Sequence, residues 1–255
     1  MLTRIKKDWF LFEELVKRDF KRKYSRTVLG MGWSLLSPLL QLLVMRLVFV
    51  NFFGKQMEHY TIYLFCGMLV YGYFKESTSG GMNSLKANAP IFSKINVPKY
   101  LFLLSKNVSS LINFGLTLVV FFLFVAFDHV AFTWKFLLLA YPILCLVVFN
   151  IGIGLILSAF YVMFRDTTYI YDNLTLLLHY MSAIFYTIDS YSETAQKLFL
   201  LNPVYTYIYY FRLVVLDSVI PSPSLHLLCA GYAALALLIG GLIYHVNNQK
   251  FLYHL

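Results

Sequence analysis

From Leu101 to Phe127 the chain reads LFLLSKNVSSLINFGLTLVVFFLFVAF, with Lys106 as its only charged residue. A stretch this long and apolar matches what a bilayer crossing needs, about 20 residues of helix for a hydrocarbon core about 30 Å thick. Comparable runs lie near 28–51, 60–82, 134–164, 168–188 and 225–246. With 60% of the residues hydrophobic and 13% charged, no soluble core could hide the apolar surface. The expected fold class is therefore all-α: a polytopic membrane protein of six transmembrane helices in a single domain, 1–255. The run at 134–164 is longer than one crossing requires, and Pro142, Gly152 and Gly154 point to tilt or a kink there. The first long run starts near Val28 with no small-residue cleavage site behind it, so no removable signal peptide is expected.

Residues 4–26 have a different character. Ile5, Trp9, Phe12, Val16, Phe20 and Tyr24 recur at steps of three and four, while Lys6, Lys7, Glu13, Glu14, Lys17, Arg18, Lys21 and Arg22 fill most of the rest. That periodicity predicts an amphipathic helix lying in the membrane interface, with rings at the acyl boundary and cations near the headgroups. Nine basic residues precede Val28: Arg4, Lys6, Lys7, Lys17, Arg18, Lys21, Arg22, Lys23 and Arg26. Lys86, Lys94, Lys99, Arg165 and Lys250 fall on the same side of the membrane, against Lys55, Lys135, Lys197 and Arg212 on the other. This bias predicts both termini in the cytoplasm. Near anionic lipid each basic residue contributes roughly 1 kcal/mol, enough together to hold residues 17–26 against the surface.

Several chemistries are missing. There is no G-x-x-x-x-G-K-[ST] loop for ATP, no G-x-S-x-G, no H-E-x-x-H and no pair of carboxylates placed as acid and base. Cys66, Cys145 and Cys229 lie inside apolar runs without zinc or disulfide spacing, and the six histidines are scattered. Neither catalysis nor a cofactor or metal bound by this chain is expected, and nothing suggests nucleic acid.

At the junction of the two parts, the sequence runs from Arg18-Asp19 through Tyr24-Ser25-Arg26 into Leu29-Gly30-Met31-Gly32-Trp33-Ser34 and Leu36-Ser37-Pro38. Together with Phe164-Arg165-Asp166 and Asn202-Pro203 … Arg212, this pattern resembles ABC-2-type transporter permeases, in particular the branch that exports polysaccharide, O-antigen or teichoic acid. The likeness extends over the whole chain. It implies the membrane subunit of an ABC exporter in a bacterial cytoplasmic (inner) membrane. Two copies would pair, each with one ATPase subunit that binds ATP and Mg, and the cargo would be a lipid-linked glycan.

The resemblance also suggests roles for particular stretches. The loop 83–99 would be the coupling helix that docks on the ATPase, with a short helix from about Asn83 and with Lys86, Asn88, Ile91, Phe92 and Lys94 at the contact. An ordinary basic loop is the plainer reading. Phe20, Arg22, Tyr24, Arg26 and Trp33 would form a cytoplasmic gate beside a path that starts near Gly30–Gln41. Gln41, Met45, Phe49 and Phe52 share one face of the first span; Asn173, Leu177, Tyr180 and Ile184 share one face of the fifth. These faces would line a seam for the glycan, or serve simply as helix packing. The insert 189–224 is read as two short re-entrant helices broken at Asn202-Pro203. There Tyr205, Tyr209 and Arg212 fall on one face, either as a substrate exit or as an interfacial tyrosine belt. Lys75 and Glu76 admit a proton relay, an interhelical salt bridge or exposure near the cytoplasmic boundary. Two rival functions remain: an ABC-2 drug or lipid exporter, and an ion-coupled carrier using Lys75, Glu76 and Arg46.

Overall fold

The computed structural model describes residues 2–24, 27–50, 57–92, 97–247 and 251, apart from the side chains of 2–5, 24 and 92. Among the described residues the chain is helical throughout, with no strand. The helices are α1 (Leu2–Tyr24), α2 (Trp33–Phe49), α3 (Tyr60–Phe92), α4 (Tyr100–Phe127), α5 (Ala140–Met163), α6 (Thr167–Met181), α7 (Glu193–Phe199), α8 (Pro203–Val215) and α9 (Pro223–Asn247). Short 3-10 turns at Gly30–Gly32 and Trp134–Leu139 lead into α2 and α5. Gly30 takes a left-handed backbone at φ +51, which glycine adopts without a side-chain clash.

Four helical segments among the described residues are long and apolar enough to cross a membrane: Gly30–Phe49, Tyr100–Phe127, Trp134–Met163 and Pro223–Asn247. The number rises to five if α7 and α8, bent by 108°, count as one broken span. The expectation of six therefore meets a coarser result, for two physical reasons. α6 has only 15 residues, too few for a straight crossing. α3 has 33 residues but carries Lys75, Glu76 and a polar second half.

α3 is the axis of the bundle. At about 1.5 Å per residue it is about 50 Å long, well beyond the hydrocarbon thickness. The helix does not stop near residue 82 to leave a separate coupling helix; it runs unbroken to Phe92, with Pro90 in its last turn. Ser84, Leu85 and Asn88 on this extension are buried: Leu85 packs with Leu103 of α4, Leu155 of α5 and Tyr244 of α9, and Asn88 accepts from Arg18 of α1. Elsewhere the apolar face of α3, including Ile62, Phe65, Leu69 and Val70, joins Phe121 of α4, Phe149 of α5 and Tyr207 and Phe211 of α8 in one core.

α5 and α9 cross very closely. A Cβ built on Gly152 would collide with the Ala236 backbone, and one on Gly240 would collide with the carbonyl oxygen of Gly152. Gly152 thus serves the approach of α9, and α5 continues through it as one helix.

α1 forms the helix its periodicity predicts, but its inward face is Leu11, Phe12 and Leu15, packed with Leu101 and Phe102 of α4 and with Ala89 and Ile91 of α3. Trp9 and Phe10 stay exposed beside that face. Below them Asp19 is buried: its carboxylate pairs with Arg18 at 2.8 Å and Lys106 at 3.3 Å and accepts from Ser105 Oγ at 3.1 Å. Arg18 donates onward to Asn88 Oδ1 at 2.8 Å. The charge of Asp19 thereby ties α1 to α3 and α4.

Candidate functional site

α2 is the least embedded of the four bilayer-length spans, with only Ser34 and Leu42 buried. A cavity opens on each side of it. The first, about 520 Å³, lies among α1, α2, α3 and α4; Lys23, Thr27 and Trp33 stand at one end, with Glu76 and Asn113 on its wall. The second, about 620 Å³, lies among α2, α3 and α6 and includes Met45, Tyr71, Lys75, His179, Tyr180 and Phe185. Gln41, Met68, Gly72 and Glu76 border both.

The polar groups between the cavities have definite partners. Lys23 Nζ lies 2.8 Å from Glu76 Oε1, which also accepts from Asn113 Nδ2 at 2.7 Å. The end of α1 is in this way tied to α3 across the first cavity. Lys75, one residue earlier, is exposed and lines the second cavity instead. The salt-bridge and exposure readings of this pair thus fall to different residues.

α6 and the segment that follows it are held to α3 largely by tyrosine hydroxyls on backbone carbonyls. Tyr71 Oη donates to Thr175 O at 2.7 Å, Tyr60 Oη to Phe185 O at 2.8 Å and Tyr63 Oη to Tyr186 O at 2.6 Å. Thr78 and Tyr171 share a further hydroxyl contact. With Tyr171 and Thr175 turned toward α3, Ile170, Leu174, Leu177 and Met181 remain exposed along the other side of α6. Two residues past the end of α6, Ala183 has a φ of 47, in the left-handed region.

Of the residues expected on the path, Gln41, Met45 and Tyr180 meet in the second cavity. Phe49 stacks on Phe185 at its margin, ring centroids 4.8 Å apart. Asn173 and Leu177 lie on the exposed side of α6, and Ile184 is fully buried. Phe52 lies outside the described residues. In the stretch 189–224, α7 and α8 break at Asn202-Pro203, with Asn202 accepting from the Val204 and Tyr205 amides at 3.0 and 3.4 Å. Tyr205 and Tyr209 stack at 5.8 Å, but Tyr205 is buried and Tyr209 is at the edge. Arg212 is buried too, donating to Ala183 O, Ile184 O and Tyr63 O. All three acceptors are protein backbone, so its guanidinium faces inward, away from an exit surface.

Of the gate residues, Trp33 borders the first cavity, Phe20 is half-buried and Arg22 is exposed; Arg26 and the Tyr24 side chain lie outside the described residues. Of the coupling residues, Lys86 is exposed and donates to Tyr161 Oη at 3.1 Å. Ile91 is half-buried against α1 and α4. Asn88 is enclosed between Arg18 and Ser84 O, so it presents nothing to a docking partner. Lys94 and the Phe92 side chain lie outside the described residues.

Tyr71, His179 and Phe185 line the second cavity without having been singled out from sequence. Tyr71 and Lys75 stand four residues apart on α3, a spacing that was available; His179 stands in the last turn of α6 and Phe185 follows the turn beyond it, whose path no local pattern reveals. Among the described residues no group of His, Cys, Asp and Glu has the makeup of a metal site.

An all-helical chain with several bilayer-length apolar helices, and with cavities beside a loosely packed first span, is a multi-pass membrane protein of the transporter class. The chain belongs to the ABC-2 type transporter family, whose pattern it matches over residues 11–216. It is 26% identical over 244 residues to the O-antigen export system permease protein RfbA of Myxococcus xanthus, covering 94% of each chain. Two RfbA proteins of Klebsiella pneumoniae, also O-antigen export system permeases, are 28% identical over 218 and 202 residues; the matches cover 83% of each chain in one case, and 76% of this chain and 77% of the relative in the other.

Proposed function

We propose that this chain is the membrane-spanning permease subunit of an ATP-driven exporter that moves a lipid-linked, O-antigen-like polysaccharide across the bacterial cytoplasmic membrane. The observation that carries the reading is the similarity to O-antigen export permeases along nearly the whole chain. ATP hydrolysis comes from a separate ATPase chain, two copies of which serve a homodimer of this one. In this arrangement α3 and α6 complete six crossings with the four apolar spans, and α7–α8 dips into the outer leaflet and returns. Both termini face the cytoplasm, by the basic bias of α1 and the inner loops.

The exposed sides of α2 and α6 flank the second cavity, which suits a path between two copies. Its aromatic rings and the Gln41 amide stack on and hydrogen-bond to sugar without holding a neutral glycan by fixed charge. The ATPase meets the Phe92 end of α3, where Lys86 and Ile91 stand. Coupling through the end of a continuous helix carries a tilt of α3 directly to the cavity wall at Tyr71 and Lys75.

Removing the protein from cells tests this reading. Lipid-linked glycan should accumulate in the cytoplasmic leaflet, and an ATPase chain should co-purify with the tagged permease. Unchanged glycan export together with new sensitivity to drugs would instead mark a drug exporter of the same family.

A further inference from the structure

Asn150 stands in the middle of α5, only 1% exposed, and neither its Nδ2 nor its Oδ1 has a hydrogen-bond partner among the described residues. A buried side-chain amide in that condition is uncommon, because leaving water without replacing its hydrogen bonds is costly. Lipid chains offer no replacement, so a polar side chain inside a membrane helix bundle needs a partner within the bundle.

The packing shows which way the amide faces. Asn150, Gly154 and Ser158 follow one another at steps of four on one face of α5. On that face Gly154 meets Gly81 of α3 and Leu103 of α4, and the neighbouring Phe149 ring lies 6.1 Å from that of Phe74 on α3. Asn150 therefore points into the seam of α3, α4 and α5, where Tyr73, Ser77 and Asn107 are also buried. Those three already hold one another. Tyr73 Oη donates to Asn107 Oδ1 at 3.2 Å, and Asn107 Nδ2 donates to Ser77 Oγ at 2.8 Å. The Tyr73 hydroxyl lies beside Asn150, but its single proton is committed to Asn107 and cannot serve Asn150 Oδ1.

The chemistry of the amide selects its partner. It offers protons on nitrogen and lone pairs on oxygen, so the partner must both accept and donate. A metal cation would serve the oxygen alone, and an anion the nitrogen alone. Water serves both, and a buried water typically makes about three hydrogen bonds to polar groups of this kind. A route for it is present as well. Tyr73 lines the first cavity with Ser110, Asn113 and Glu76, and the Lys23–Glu76 pair at that cavity's edge is partly exposed.

We propose that the seam of α3, α4 and α5 contains a binding site for water at Asn150, reached from the first cavity past Tyr73. The bound water donates to Asn150 Oδ1 and accepts from its Nδ2, with the Tyr73 hydroxyl as a further partner. α5 is thereby joined to α3 through water, a link nearly as favourable as a direct hydrogen bond and able to re-form after a small shift of either helix. The site is independent of the cargo and stands or falls apart from the export reading.

X-ray footprinting of the full chain in heavy-oxygen water tests it, because radicals made from bound water label the side chains beside it. Tyr73 should take up heavy oxygen severalfold faster than Phe121, a fully buried ring on α4. Asn150→Leu should bring Tyr73 down to the Phe121 rate. Labelling of Tyr73 that persists in Asn150→Leu would assign it to water in the first cavity alone and overturn the site. A Tyr73 rate no higher than that of Phe121 in the unmodified protein would overturn it too. Should Asn150→Leu fail to fold, a cryo-EM map of the unmodified protein decides the matter. Water density within hydrogen-bond distance of both Asn150 and Tyr73 Oη is expected. A direct bond from Asn150 to Tyr73, Ser77 or Asn107 with no density between them would overturn the proposal.

Discussion

The guanidinium of Arg212 on α8 stacks over the ring of Tyr63 on α3, 3.4 Å from its centroid, and both side chains bind the turn that ends α6. Arg212 donates to Ala183 O at 3.0 Å and Ile184 O at 3.1 Å, and Tyr63 Oη contacts Ala183 O at 3.3 Å. Three segments far apart in sequence are thus joined at one left-handed residue. The cavity residues His179, Tyr180 and Phe185 stand on either side of that turn, so the clamp sets their positions.

Replacing Arg212 with Ala should destabilise the protein by about 3 kcal/mol or more, because three buried carbonyls lose a charged donor. Arg212→Lys should recover only part of this, since an ammonium lacks the planar fork that reaches several acceptors at once. Thermal unfolding in detergent measures both. An Arg212→Ala protein with unchanged midpoint would show that the turn holds without the clamp.

This clamp also marks where sequence reading stops. Tyr205, Tyr209 and Arg212 do fall at helical spacing, and Tyr205 does stack on Tyr209. The direction in which Arg212 turns depends on Tyr63 and on the carbonyls of Ala183 and Ile184, and no local pattern specifies these. The apolar spans, the amphipathic α1 and the break at Asn202-Pro203 were legible because each follows from periodicity, length or a cap. The far end of α3 was not: hydropathy falls off after Met82, yet the helix persists because Leu85 packs among α4, α5 and α9 while Asn88 accepts from Arg18 of α1. Half the cavity was legible, since Gln41, Met45 and Tyr180 carry helical spacing, whereas His179 and Phe185 reach it only through the α6 turn.

Gly152 and Gly154 lie two residues apart on α5 but should respond differently to Ala. At Gly152 the new methyl meets the backbone of Ala236, which has no side chain to move aside. A loss of about 1–3 kcal/mol is expected as α9 is forced outward. At Gly154 the nearest atom is Leu103 Cδ1 at 3.4 Å, an ordinary contact, and a smaller change should follow. Equal midpoints for the two variants would contradict the close crossing.

Asp19 should be coupled to Lys106. The carboxylate is almost fully enclosed, its side chain 1% exposed, while Lys106 and Arg18 keep partial contact with solvent. Asp19→Asn should cost about 1–3 kcal/mol, less than is usual for breaking a fully buried pair. Adding Lys106→Met should cost little more, because the partner charge is already unmatched. Strict additivity in a double-mutant cycle would mean that the two do not interact.

The Lys23–Glu76 pair can be separated from its surroundings by charge alone. Glu76→Gln still accepts from Asn113, so it removes only the attraction to Lys23. Both partners are partly exposed, at 41% and 37% of their side chains. The global stability change should therefore stay below about 1 kcal/mol. A local effect should nonetheless appear, because this pair ties the last turn of α1 across the first cavity. Trypsin cleavage at Lys21, Arg22 and Lys23 should rise severalfold in Glu76→Gln, and raising salt should increase cleavage of the unmodified protein toward the same rate by screening the pair. The exchange Lys23→Glu with Glu76→Lys should restore protection at the remaining basic sites, since it keeps opposite charges at the same positions. Cleavage that is indifferent to Glu76 and to salt would show that the packing of Leu11 and Leu15 and the buried Asp19 contacts fix α1, and that the pair does not hold the cavity's edge.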